Sequence, residues 1–489
     1  MFHKLRACIF FVGLCLPSIV SAQLAAGYPL GPDTTSSAKW AKKVCDVTKY
    51  GAVADGKTDL GPPLLAAFNA CKSGGVVNIP LGNYAMATWV TLSGGTAWAI
   101  NLEGIIYRTG TAVSSSTSVP ATDANQLQFK TLPILNFTAV DLVVLSKDMV
   151  MYSIQQGHMG EFNEPVFLRL VLSAIDNAYS PRLIRLINVT NFSIHDIALV
   201  DSPAFHLVLD TVQNGQVYNL IIRGGNEGGL DGIDVWGFNI HIHDVEVTNK
   251  DECITVKNPS NHMLIENIHC NWSGGCAIGS LGADTAISKI TYNNIKLFFW
   301  KDTNRSSYTW QSNQMFMIKS NGGSGSVSDS VFSNFIGHSN AYSLDINAYW
   351  ESAQAPGNGV LYTGLTFSNW KGTCANGAQR APIQLLCSST TPCTGLNINN
   401  FAIWTDTGSY EYYKCQNAWG DGPCLVHGSA HTPYSIVTST ISSAPSGYSA
   451  PKMPNDLAAG YALTASIPIP TIPTTFFPGV APATKRAYP

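Results

Sequence analysis

The sequence predicts an all-β chain wound as a parallel β-helix, a solenoid with a short capping helix at its N-terminal end. Three observations carry this expectation. A short apolar phrase returns on an Asn or Asp beat, each phrase alternates as a strand does, and no long segment of 3.6-residue period competes with it. The phrase reads apolar, any, apolar, Asn or Asp, apolar, as in NFSIHDIAL, IHIHDVEV, HMLIENIHC and GLNINNFAIW. Its beat residues are Asp196, Asn219, Asp244, Asn267, Asn294, Asn334, Asn369 and Asn400, at spacings of 23, 25, 23, 27, 40, 35 and 31.

One such coil cannot bury its inward apolar residues alone. Stacked at about 4.8 Å, equivalent residues of successive coils form continuous internal columns and a parallel sheet. A repeated Asn at a turn can hydrogen-bond its equivalents above and below. An antiparallel sandwich would instead require hairpin turns every 8–12 residues or so, with no beat of this length.

The N-terminal end has its own pattern. CDVTKYGAVADGKTD precedes a run in which Asp59, Pro62, Pro63 and an Ala/Leu-rich stretch to Cys71 predict a short helix, stopped at Gly74-Gly75. Such a helix would cover the open end of the solenoid and shield its edge. At the other end, the Pro-rich run over 451–489 reads as an extended tail. The β-helix is expected over 23–450.

Composition narrows the function classes. Of 489 residues only 12% are charged, against roughly 25% in an average domain, and the net charge is −3. Without a basic excess or a Lys/Arg run there is no electrostatic footprint for nucleic acid. Residues 1–22 read as a secretory signal: Lys4 and Arg6, an apolar run from Ala7 to Val20, then Val20-Ser21-Ala22 before the cut. A secreted, extracellular protein without a membrane span is expected.

Cysteine usage fits that compartment. Spacing pairs Cys45 with Cys71, Cys253 with Cys270, Cys387 with Cys393 and Cys415 with Cys424, leaving Cys276 and Cys374 over. No CxxC-type spacing occurs among them, so no metal and no cofactor are expected. Sequons at Asn136, Asn188, Asn191, Asn271 and Asn304 are candidate glycosylation sites.

Carboxylates are scarce, so one cluster stands out. GGNEGGLDGIDVWG carries Asp231 and Asp234, and VTNKDECITVKN carries Asp251 and Glu252. Asp231 and Asp251 lie 20 residues apart, near one period, which would stack them on one face. Crowded like charges raise at least one pKa, and glycoside hydrolysis needs one carboxyl to give a proton and another to activate water. The same residue types also decorate turns, as the beat residues do.

These motifs, with NWSGGCAIGSLG and MFMIKSNGG, resemble the polygalacturonase superfamily, glycoside hydrolase family 28, and more closely its rhamnogalacturonase branch. The resemblance covers about 23–110 and 183–480. It implies a right-handed parallel β-helix and inverting endo-hydrolysis of galacturonic acid–rhamnose bonds in rhamnogalacturonan I. By the same resemblance Asp251 is the proton donor, Asp231 and Glu252 activate the water, and Asp210 and Asp234 support them in the cleft. Adjacent strand residues point to opposite faces, so Asp251 and Glu252 can share a cleft only at a turn or bulge.

Two departures from the polygalacturonase pattern are visible. Where its Gly-His-Gly motif falls, this chain has Gly274-Gly275-Cys276; a later Gly337-His338-Ser339 offers His338 as a substitute. Its Arg-Ile-Lys motif is Met317-Ile318-Lys319, which leaves Lys319 alone to hold a uronate and removes a bidentate partner. Both argue against plain homogalacturonan.

Other features carry less. His241 and His243 alternate with Ile240 and Ile242, which places the histidines outward. Trp236, Trp310, Tyr342 and Trp350 suit sugar stacking and core packing equally. Residues 111–156 lack glycine and the beat stops there, and the family resemblance vanishes over 111–182, which reads as a retained intron or shifted frame. Removing 296–307 would bring the 40-residue step back to 28. The partner expected is a pectic polysaccharide and the chain a monomer. The alternatives are a polygalacturonase, a pectic lyase using calcium at the acidic cluster, and a non-catalytic pectin-binding solenoid.

Overall fold

The computed structural model describes residues 24–108, the strands over 135–146 and 149–153, and 183–298, 314–350 and 357–450, apart from single positions at 89, 203, 226–227, 429–430 and 447. The signal segment, the C-terminal tail, Trp310 and Asn304 lie outside them, as does most of 111–182 and of 296–307.

Coil after coil pairs in parallel and in register. Ile233 pairs with Ile254 and Val245 with Ile268, Ile268 with Ile295, and Ile295 with Phe335. The inward residues form one continuous core in which Tyr292, Phe332 and Phe367 stack, as do Phe335, Trp370 and Phe401. The fold is the predicted parallel β-helix. The strand Leu135–Ser146 pairs with Val90–Leu102 on one side and Thr190–Val200 on the other, so the stack runs through that part of the atypical segment. Among the strands of the described residues, Val437–Ile441 alone pairs antiparallel, against Glu411–Gln416.

All eight beat residues have positive φ, the left-handed conformation that Asn and Asp tolerate best. Their side chains form the expected ladder: Asn294 donates to Asn267 at 2.7 Å and Asn400 to Asn369 at 2.7 Å. A second column of left-handed turns, not anticipated from sequence, runs through Asn191, Asn214, Asn239, His262, Lys289 and Asp329 and continues at Gly364 and Gly395.

The capping helix spans Gly61–Cys71 with both prolines in its first turn. Phe68 packs edge-on against Trp98 at 4.7 Å, and Cys71 is bonded to Cys45. All four predicted disulfides form, and Cys276 and Cys374 are buried free thiols. His241 and His243 do face outward; His243 stacks on Tyr218, and the His241 ring lies tilted beside it at 4.2 Å.

One sequon expectation needs correction. Asn271 is 0% exposed, because its coil turns it inward at the corner after Cys270, so it has no room for a glycan. Asn191 has its amide nitrogen on Asp33 at 2.6 Å and its oxygen on Asn214 at 3.1 Å. Asn188 is exposed, and Asn136 lies on the strand Leu135–Ser146, where only the backbone is described.

Candidate active site

The coil Ile233–Thr248 ends in a bend over 249–251, and the chain re-enters the sheet at Glu252, the first residue of the strand Glu252–Asn271. Asp251 therefore sits in a turn, and register with the next strand slips between Glu252 and Thr255. The turn and the bulge together let two sequence neighbours face one cleft. Counting back from the Ile233–Ile254 pair, Asp231 stands one rung before Glu252, with Asp251 one residue off that line. One oxygen from each of the three carboxyl groups lies within 4.8 Å of the others.

The corner is held by backbone and small residues. Asp251 accepts from the Gly229 N–H and, at 3.0 Å, from the Glu252 N–H. Its carbonyl accepts from Ser273 Oγ at 2.9 Å and from the Gly274 N–H at 2.6 Å. A Cβ on Gly274 would come within 3.0 Å of the Asp251 carbonyl carbon, so a side chain here would press on the acid turn. Asn249 donates to the carbonyls of Leu230 at 2.6 Å and Glu252 at 3.0 Å, tying the two acid-bearing turns together. Beneath Asp231, His206 is fully buried; its Nδ1–H donates to the Asp231 carbonyl at 3.1 Å while Nε2 accepts from the Ser202 N–H. Burial pulls that imidazole down to about 4, so it stays neutral.

The three carboxyls are driven apart electrostatically. Burial, with Asp234, Glu252 and Asp251 close by, pushes Asp231 well above the carboxylate range. Burial and the neighbouring Glu252 push Asp251 up to about 7. Glu252 is buried too, but Asp251 and the Lys319 ammonium, which is ion-paired to it, draw it down to about 2. At mildly acidic pH the cluster thus holds protons on Asp231 and Asp251 and a charge on Glu252. The same three residues are the set that could gather round a divalent cation, and Lys319 already supplies positive charge there.

Lys319 also lies over the Trp350 ring, 5.1 Å from its centroid, and Trp350 is 37% exposed. Asp234 faces the same cleft floor, with Lys257 Nζ 3.5 Å away. Asp210 is on that floor as well, but its carboxylate pairs with Arg185. The structure does not bring His338 to the acids. Thr248, Asn271, Phe298 and His338 are successive partners on one column, so His338 stands at a corner three coils beyond Asp251, roughly 14 Å along the axis.

A sequence profile described as Glycosyl hydrolases family 28 matches residues 172–424. Over 468 residues the chain is 54% identical to "Probable rhamnogalacturonase B" of Neosartorya fischeri, covering 96% of this chain and 82% of that one. Over 473 residues it is 52% identical to "Rhamnogalacturonase A" of Aspergillus aculeatus, covering 96% and 97%. The chain belongs to glycosyl hydrolases family 28. The fold agrees: a crystal structure of endo-xylogalacturonan hydrolase from Aspergillus tubingensis superposes with a TM-score of 0.60 at 19% identity, over 80% of this chain and all of that one.

For a family 28 glycoside hydrolase, the cluster brings together a carboxyl pushed up by burial and one held down by a lysine, a pair of the kind that glycosidic cleavage needs. Sequence reasoning gave no role to three residues of this candidate site. Asn249 and His206 act on backbone carbonyls, which leave no trace in a motif. Lys257 went unassigned because its carboxylate partners converge on it only in the folded coil: Asp234, Asp231 and Glu252 outweigh the effect of burial and hold its pKa above the ordinary value.

Proposed function

We propose that the chain is a secreted, monomeric endo-hydrolase that cuts galacturonic acid–rhamnose bonds in the rhamnogalacturonan I backbone of pectin. The observation that carries this reading is the convergence of the Asp231, Asp251 and Glu252 carboxyl groups in one cleft, where Lys319 pairs with Glu252 and burial pushes Asp251 up. Asp251 gives its proton to the glycosidic oxygen as the C–O bond breaks. Glu252 takes a proton from the water whose oxygen bonds to the anomeric carbon. Asp231, whose carboxyl burial and the neighbouring carboxylates push up, faces the same water and shares its activation with Glu252. After release, Glu252 gives the proton it took from water to solvent and Asp251 regains one, so both carboxyls return to their starting states.

The two full-length relatives named as rhamnogalacturonases support the substrate, and the disulfides support secretion. The family resemblance supports inversion, which needs carboxyl groups about 6.5–9.5 Å apart with a water between them. The 4.8 Å limit here is between nearest oxygens, a shorter measure than that between whole groups. The anomeric form of the first product, read by proton NMR, decides the point, and retention would overturn inversion.

The substrate is tested by paired digestion of deacetylated rhamnogalacturonan and polygalacturonate. New reducing ends on rhamnogalacturonan alone, without ultraviolet absorbance from unsaturated ends, are expected. Cleavage of polygalacturonate would favour the polygalacturonase alternative, unsaturated ends a lyase, and silence on both a binding solenoid.

A further inference from the structure

Past the acids, toward the C-terminal coils, the cleft changes from charged to apolar. Lys319 stands on the strand Gln314–Ser320, yet its ammonium reaches back to Glu252, two coils earlier. Gly279, its partner on the coil between, opens that path: a Cβ there would stand 3.1 Å from Lys319 Cγ. The ion pair is largely covered, its side chains 11% and 12% exposed. The Trp350 indole, its centroid 5.1 Å from the Lys319 ammonium, belongs to a residue 37% exposed. A polymer lying over the pair therefore meets an aromatic surface before it meets a cation.

The floor changes in the same direction. Asp234 pairs with Thr255, Thr255 with Ala277 and Ala277 with Met317, while their neighbours Ile233, Ile254, Cys276 and Phe316 face the core. The outward column thus runs from a carboxylate to two apolar residues before it reaches Asp345. Trp350 is fixed beside that stretch. Its N–H donates to the Ser320 carbonyl at 3.0 Å, and the Tyr349 N–H donates to Asn347 Oδ1 at 2.9 Å.

We propose that Trp350 is a specificity-determining residue, whose indole receives the uncharged deoxysugar at the scissile bond and turns away a uronate there. The inference rests on the rhamnogalacturonan reading, in which one sugar at that bond carries a carboxylate and the other a methyl group. The face of an aromatic ring is electron-rich, so it takes the C–H face and the methyl group of a 6-deoxy ring and repels a carboxylate. Lys319, the cation beside it, is engaged by Glu252 and does not offset that repulsion.

A methyl group held over an indole reveals itself by its ring-current shift. A rhamnogalacturonan oligosaccharide is bound at saturation to Asp251→Asn, which is slowed in cleavage, and its rhamnosyl methyl resonances are followed by proton NMR. One of them is expected to move upfield on binding, and that shift is expected to vanish when Trp350→Leu is added. In the enzyme with its acids intact, Trp350→Leu should lose about tenfold in kcat/KM on the same oligosaccharide, and Trp350→Phe should recover part of it. Trp350→Gln takes the place of Trp350→Leu if the latter does not fold. An upfield shift that persists without the indole, or no upfield shift when the oligosaccharide is bound, overturns the assignment of Trp350 while wild type still cuts. Wild type that leaves the oligosaccharide uncut overturns the rhamnogalacturonan reading itself.

Discussion

Asp251 and Glu252 share a peptide bond yet hold carboxyl groups at opposite ends of the carboxyl range, one pushed up to about 7 and the other drawn down to about 2. The pH dependence of kcat/KM follows. Asp251 must carry its proton, so activity falls as pH rises through about 7; Glu252 must be ionised, so activity is lost on the acid side only as pH approaches about 2. Asp251→Asn is expected to lower kcat by about 10²–10⁴ and to abolish the alkaline limb. A rate profile between pH 3 and 9 checks both.

Removing Lys319 tests the other limb. In Lys319→Met the burial of Glu252 is no longer opposed by a cation, and its carboxyl moves up. The acid limb should then shift to higher pH and the profile should narrow, with the alkaline limb nearly in place. An acid limb that stays where it was would take Lys319 out of the account of Glu252.

Asn249 holds two turns with one amide. Asn249→Ala leaves the carbonyls of Leu230 and Glu252 without that donor, at a cost of about 1–3 kcal/mol in urea unfolding. Activity should suffer more than stability, with kcat falling tenfold or more, since the spacing between Asp231 and Glu252 is what loosens.

Gly275 is a steric requirement of the stack. Its φ is +91°, and a Cβ would lie 1.7 Å from the Gln314 carbonyl oxygen of the next coil. Gly275→Ala should destabilise by about 3 kcal/mol or more, measured by thermal or urea unfolding.

Asp345 links stability to pH. Burial lifts its carboxyl from 3.8 to about 7, so the folded chain binds the extra proton. The stability it lends is full below pH 4 or so and is lost as pH rises through about 7. Asp345→Asn can still accept from Gln384 and carries no charge to bury. Its Tm should match wild type at pH 4 and exceed it at pH 8, by the equivalent of about 4 kcal/mol.

The fold was legible because its turns are chemically selective. A left-handed turn position favours Asn and Asp, and the eight beat residues all occupy one. The second column stayed hidden because His262, Lys289 and two glycines stand among its asparagines and break the compositional signal. The acids were legible through scarcity. Their relative placement was not: Glu252, rather than Asp251, lines up with Asp231, because the step between these two coils is 21 residues (Ile233 to Ile254) and not the 20 that separate the two aspartates. His338 was drawn in by a three-letter likeness, while coil counting along Thr248, Asn271 and Phe298 takes it away from the acids.

The two columns of left-handed turns are tied to each other. From Asn191 to Asp196, Asn214 to Asn219, Asn239 to Asp244, and on to Gly395 and Asn400, the span between them never changes. The lengthening of the later coils therefore enters elsewhere. It enters around the floor strands Gln314–Ser320 and Tyr342–Asn347, over 299–313 and in the stretch from 348 to 360. Among the described residues, one side of the solenoid is thus a spine of fixed length, and the coils differ in length on the side that carries the acids. Descendants of such a chain can remodel which branched or decorated polymers they admit, one loop at a time, while inheriting their stability unchanged.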